Sequence, residues 1–211
     1  MNKIFISRRS LLKTVPTLLV GSAIAQSPLA HAAETTKDSR LSPRIIGNPD
    51  APVLVQEWFS LTCTHCAHFG TEEFPKIRKE LIETGKIRYQ FHDFPMDRVA
   101  LVAAMIARSL PETRYEAFIS SLFSRQMKWA FSEGDPLEHL RQEAALAGVS
   151  SSQFDEIRND QNFIKAISDK VDSDTKKYDI QGTPYFRFNN VAYAQDPETF
   201  ETFADLVKKA S

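Results

Sequence analysis

Residues 53–70 read VLVQEWFSLTCTHCAHFG. The first seven alternate, so Val53, Val55, Glu57 and Phe59 share one face of an expected strand. From Thr64 the spacing turns helical and continues to about Thr84, with Pro75 expected to kink the run. Cys63 and Cys66, the only cysteines of the 211 residues, therefore sit where a strand runs into a helix. The tract KIRYQFHDF (86–94) alternates again, setting Ile87, Tyr89 and Phe91 against Arg88, Gln90 and His92. Strand, helix and strand in this order read as a βαβ unit.

A long helical tract follows, roughly 97–178. Within it Tyr115, Phe118, Ile119 and Leu122 form an apolar stripe, read as core of the helical block rather than as a peptide groove. Gly148 reads as a helix stop, and Ser150 with Gln153 as a capping box. Next, PYFRFNNVAYA (184–194) predicts a hairpin turning at Asn189–Asn190. A closing helix is expected with Asp196 as cap, Pro197 at its first position, and Phe200, Phe203, Ala204 and Val207 turned inward. Strands on both sides of a helix block point to an α/β sheet carrying an inserted helical subdomain. The boundaries are a sheet domain over 45–96 and 179–211, an insertion over 97–178, and a flexible leader over 33–44, the first strand beginning at 53.

The first 32 residues read as an export signal. Lys3, Arg8, Arg9 and Lys13 precede any acid, a mildly apolar run follows, and Ala30-His31-Ala32 offers a cleavage site near Ala32. The run is short and broken by Pro16, Gly21 and Pro28, unlike a membrane span. SRRSLLK (7–13) resembles the twin-arginine export consensus, with ordinary secretory export as the competing route. The whole chain carries 26 Lys and Arg against 27 Asp and Glu; without the four basic residues of the signal, 22 stand against 27. That mild acidity argues against nucleic acid as a partner.

Three readings of Cys63-Thr64-His65-Cys66 compete. As a structural staple the pair would close a loop of four residues, which constrains almost nothing in the unfolded chain. As a metal site it lacks the second pair of ligands that structural zinc takes, although His65 or His68 could add one. As a redox dithiol it is well placed. Cys63 at a helix N-terminus meets unpaired N–H groups and a dipole that favour an anion. Its thiolate is then stabilised, which makes the disulfide more oxidising, while Cys66, one turn in, is shielded and resolving. His65 can donate to the Cys63 sulfur or add positive charge.

Two further features gather at this site. Glu57 lies on the otherwise apolar face of its strand, where a carboxylate must be paired or protonated. Beside a dithiol it could relay the proton of Cys66; paired with a lysine it would be structural. QGTPYF (181–186) sets Thr183-Pro184 at the entry to a strand, a position that tolerates proline and permits a cis bond.

In combination these residues resemble the periplasmic DsbA-like thiol oxidases: Cys-x-His-Cys after a strand carrying Glu57, a helical insertion, and Thr-Pro before the closing hairpin and helix. HDFPMDRVALVAAMIAR (92–108) is similar to the segment after the second strand in a bacterial subfamily of them. The resemblance spans 45–208 and implies a thioredoxin-like fold with an inserted α-helical domain. It makes Cys63 the substrate-linked sulfur, Cys66 the resolving thiol, His65 the thiolate stabiliser and Glu57 the family's buried acid. Pro184 becomes a cis-proline facing Cys63, and Thr183 the residue whose backbone pairs with bound substrate. Reduced exported proteins are the implied substrates, a quinone-linked DsbB-like membrane protein the reoxidant, and no cofactor is implied.

This sequence departs from the family at two places. The dipeptide is Thr-His where Pro-His is usual, and Thr183 stands where the best-studied oxidases carry valine. Threonine there is shared by disulfide isomerases and reductive relatives, so those stay as alternatives. The span before residue 53 is too short for the dimerisation domain of periplasmic isomerases, which favours a monomer. Other classes left open are a periplasmic copper or zinc carrier using Cys63, Cys66 and a histidine, and a peptide-binding chaperone. His68 is expected to face solvent, KIRKE (76–80) to be a solvated helix face, and Trp58 to pack beside the site.

Overall fold

The computed structural model describes residues 38–193, 197 and 199–211. Strand β1 (Arg44–Gly47) pairs antiparallel with the outer side of β3 (Ile87–Asp93), whose other side runs parallel to β2 (Val53–Phe59). A parallel pair needs a crossover. Here it is a helical path from Thr64 to Ile82: α1 (Thr64–His68), a wide turn, α2 (Phe74–Ile77) and a second wide turn. Pro75 sits at the start of α2, where a missing N–H costs little. The path is thus interrupted near Pro75, as the sequence predicts, but by wide turns on both sides of it.

Six helices connect β3 to the closing hairpin: α3 (Arg98–Ser109), α4 (Glu112–Ser124), α5 (Gln126–Trp129), α6 (Pro136–Leu146), α7 (Ser151–Asn159) and α8 (Gln161–Tyr178). α3 is apolar on most sides, with Val102 to Ala107 all buried, because other helices surround it. The stripe Tyr115, Phe118, Ile119 and Leu122 of α4 is buried in the core that the sheet shares. Gly148 adopts φ 82° after α6, a conformation that glycine enters without strain. Ser150 and Gln153 form the expected capping box of α7.

β4 (Tyr185–Phe188) and β5 (Val191–Tyr193) form the hairpin, turning at Asn189–Asn190, and α9 (Phe200–Ala210) follows. Among the described residues the strands make one sheet, in the order β1-β3-β2-β4-β5, parallel at β2 and β3 only. This is a thioredoxin-like α/β fold with a helical insertion. Phe69, Phe74, Tyr89, Phe91, Phe186, Phe188 and Phe203 pack in tilted and edge-to-face pairs across one side of the sheet. Truncating a buried phenylalanine of this kind to alanine costs about 3–5 kcal/mol. On the other side Trp58, Phe94, Ile180 and Tyr185 form a smaller cluster.

The structure corrects the sequence reading at three points. Residues 38–44 were expected in a flexible leader, but Ser39–Leu41 form a 3-10 turn and Arg44 opens β1. Arg40 fixes this stretch through ion pairs to Asp38 and Asp160 and by lying over the Phe163 ring. The first strand is accordingly β1, ahead of Val53. The cap of the closing helix is Thr199, whose side chain accepts from the Thr202 N–H, so the helix starts three residues past Pro197. Asp196, the expected cap, lies outside the described residues, as does the expected export signal of residues 1–32. No described helix is long and apolar enough to cross a membrane.

Candidate active site

The β2 strand ends at Phe59, and Ser60 to Thr62 turn the chain so that Cys63 caps α1. Cys63 has extended backbone, and its Sγ accepts from the Cys66 N–H at 3.4 Å. This is an N-cap made by sulfur where serine or aspartate would normally serve. On its other side the Cys63 thiol donates to the Thr183 carbonyl oxygen at 3.3 Å. The Thr183–Pro184 peptide is cis. Both cysteines are free thiols; Cys66 is fully buried and Cys63 half-buried.

This asymmetry separates the two sulfurs chemically. The Cys63 thiol is lowered to about 5, chiefly by the Cys66 side chain beside it, against the opposing effect of burial. The Thr183 side chain and the backbone N–H groups of Cys66 and His65 assist. The Cys66 thiol is pushed well above the ordinary thiol range by burial first, then by Cys63 and the charge of Glu57. Cys63 thus gives up its proton, and with it the bond it donates to the Thr183 carbonyl, at lower pH than an ordinary thiol, while Cys66 holds its proton.

Glu57 is 3% exposed on β2, on the apolar face predicted for it. The Tyr89 hydroxyl of β3 donates to its Oε2 at 2.7 Å, a partner that sequence reading did not assign. His65 is exposed on α1 and, with Asp179, Gly182, Thr183, Pro184 and Tyr185, lines an open depression of about 270 Å³ beside Cys63. Its backbone N–H is among the groups that lower the Cys63 thiol. His68 faces solvent, as do Lys76, Lys79 and Glu80 of the KIRKE segment. The fold thus gathers Glu57, Cys63, His65, Cys66, Thr183 and Pro184 in one place.

Three contacts at the site were not anticipated. The Gln126 amide of α5 donates to the carbonyl oxygens of Leu61 and Cys63, both at 2.9 Å. The Thr62 hydroxyl donates to Asp97, which itself caps α3. Trp58, on the opposite face of β2, donates from its ring N–H to Asp174 of α8 at 2.8 Å and stacks on His92. Apart from the Asp97 cap, none of these contacts has a local signature, because the partners are remote in sequence. Among the described residues no group of three or more His, Cys, Asp or Glu side chains is arranged to hold a metal ion.

Residues 39–209 match a protein-family model described as thioredoxin. A Rickettsia conorii protein provisionally named as a protein-disulfide oxidoreductase is 28% identical over 186 residues, 88% of this chain and 66% of that protein. A Rickettsia typhi protein with the same provisional name is 30% identical over 148 residues, 70% of this chain and 54% of its own length. The chain thus spans less than two thirds of both relatives. The crystal structure of alpha-DsbA1 from Wolbachia pipientis is similar with a TM-score of 0.70 at 28% identity, covering 81% of this chain and 91% of that one.

Proposed function

Because the chain belongs to the thioredoxin family, among its DsbA-like members, we propose that it is a protein thiol:disulfide oxidoreductase that donates a Cys63–Cys66 disulfide to reduced exported proteins. The observation that carries this reading is the unequal placement of the two sulfurs: Cys63 half-buried as the cap of α1, its Sγ accepting from the Cys66 N–H, and Cys66 fully buried behind it, an arrangement that lowers the first thiol and raises the second.

In the forward reaction a substrate thiolate attacks Sγ of Cys63. The Cys63–Cys66 bond breaks, and a substrate–Cys63 disulfide forms. The pair of electrons leaves on Cys66, which takes up a proton in its buried position; Glu57, whose charge acts on that sulfur, is the group we assign to relaying it. A second substrate thiolate then attacks the substrate sulfur of the mixed disulfide, and Cys63 departs as a thiolate. Two substrate thiols have become one disulfide, and the enzyme's disulfide has become a dithiol. The stability of the Cys63 thiolate drives the reaction in this direction.

Thr183 is the residue we assign to substrate pairing, because it lines the depression beside Cys63, where an extended segment of substrate can lie. Pro184 and His65 border the same depression. Residues 1–32 serve in this reading as an export signal, the site of action is the periplasm, the enzyme acts as a monomer, and a DsbB-like membrane protein reoxidises the dithiol.

The test is trapping. Cys66→Ala expressed in an exporting bacterium should accumulate mixed disulfides between Cys63 and other proteins, released by reductant. Cys63→Ala should accumulate none. A Cys66→Ala protein that captures nothing, or one that loses a bound metal instead, contradicts the proposal.

A further inference from the structure

Gln126 is 3% exposed, at the first position of α5 in the helical insertion. A primary amide has two hydrogens, and here each has its own acceptor: the carbonyl of Leu61 and the carbonyl of Cys63, both 2.9 Å from Nε2. These two carbonyls stand on either side of Thr62, and the second belongs to the reacting residue itself. The Cys63 carbonyl also accepts the Ala67 N–H at 3.0 Å, the first bond of α1. One side chain therefore clamps the backbone that connects the end of β2 to the helix.

The clamp is itself rigid. Trp129, one turn further along α5, is buried and donates its ring N–H to the Leu122 carbonyl at 2.8 Å. Arg125, just before Gln126, pairs with the buried Glu143 of α6. The amide is thus delivered by a turn anchored on both sides, which lowers the entropy lost in making its two bonds. Rotation of the Cys63 peptide would swing Sγ away from the Cys66 N–H and the Thr183 carbonyl, the two contacts that define its geometry.

We propose that Gln126 is a positioning residue for disulfide exchange, the point at which the helical insertion sets the direction in which Cys63 presents its sulfur. The insertion in this reading does more than cover the sheet: it holds the reacting residue by its own carbonyl. The inference rests on the proposed redox role of Cys63.

The experiment uses protein expressed from the full sequence and the variant Gln126→Met, which keeps the length of the side chain and removes both donors. Three quantities are read: the pH midpoint of the Cys63 thiolate by ultraviolet absorbance, the equilibrium with glutathione, and Tm in each redox state. The expected result is a rise of the midpoint by about one pH unit and an equilibrium shifted about tenfold toward the disulfide form. Tm of the dithiol form should fall more than Tm of the disulfide form. Phe154→Leu, a core change in α7, should lower Tm alike in both states and leave the midpoint in place. Should Gln126→Met not fold, Gln126→Asn, with the amide on a shorter arm, is read the same way. A variant that loses Tm equally in both states with an unmoved midpoint and equilibrium overturns the role of Gln126. A wild-type Cys63 that titrates as an ordinary thiol overturns the redox reading itself, before any variant is compared.

Discussion

The Sγ of Cys63 lies 3.3 Å from the Thr183 carbonyl oxygen, so residues 120 apart in sequence meet at the reactive atom. On its other side the same sulfur faces the Cys66 N–H. A sulfur held this way and lowered to about 5 should react with iodoacetamide with a midpoint near that pH, while Cys66 stays unmodified until the protein unfolds. Mass spectrometry of the alkylated peptide measures both. The linkage has a definite sign. A depressed thiol contributes stability that is present above its ordinary value of 9.0 and is lost as pH falls through about 5. The dithiol form should therefore gain stability relative to the disulfide form as pH rises from 5 toward 9.

Glu57 adds to the burial that keeps Cys66 protonated. In a Cys63→Ser background, Glu57→Gln should lower the pH at which Cys66 titrates by about half a unit to one unit. Burial is the larger cause, so the Cys66 thiol should remain above the ordinary range even then. Alkylation rates of Cys66 between neutral and alkaline pH measure the shift, and an unchanged profile would remove Glu57 from the site's electrostatics.

Asp174 joins the last helix of the insertion to the strand that feeds the active site. It accepts from the Trp58 ring N–H and from Lys170, itself buried while Lys170 is half exposed. Asp174→Ala leaves the indole N–H buried without its acceptor, at a cost of about 1–3 kcal/mol in unfolding free energy. Lys170→Ala should cost about 0–1 kcal/mol, because its ammonium keeps water. Urea denaturation of both variants separates the two values. Equal losses would show that the ion pair, not the indole bond, carries the contact.

His92 stacks on Trp58 with ring centroids 4.2 Å apart, and burial first, then Lys170, lowers it to about 3. Asp174 opposes that shift and Arg108 adds to it. In the unfolded chain the ring titrates near 6.5. A base with a depressed folded value contributes stability above 6.5 that drains as pH falls toward 3. His92→Gln should accordingly flatten the stability profile across that window while lowering the plateau at neutral pH. Thermal unfolding of both proteins between pH 3 and 7 checks it.

The sheet's central elements were legible because their signals are local. Alternation marks β2 and β3, the Cys-x-x-Cys pair marks the junction of strand and helix, and Asn189–Asn190 marks the hairpin. β1 was missed because four residues reading RIIG hold too little pattern; antiparallel pairing with β3 makes them a strand. The start of α9 was misplaced because Asp196-Pro197 mimics a cap and first turn as well as Thr199-Phe200 does. At the site, Cys63, Cys66, Glu57, Thr183 and Pro184 stood out by residue type and position. Gln126, Tyr89 and Asp174 did not, since a polar residue in a helix or strand reads the same whether it meets water or a remote partner.

The most direct measurement is the reduction potential of the Cys63–Cys66 couple, by equilibration with glutathione. A stabilised Cys63 thiolate in front of a protonated Cys66 favours the reduced form, so the potential should lie nearer the value of DsbA, about −120 mV, than that of thioredoxin, about −270 mV. A potential at or below the thioredoxin value would contradict disulfide donation. It would favour the alternative reading, a reductase or isomerase of the same fold.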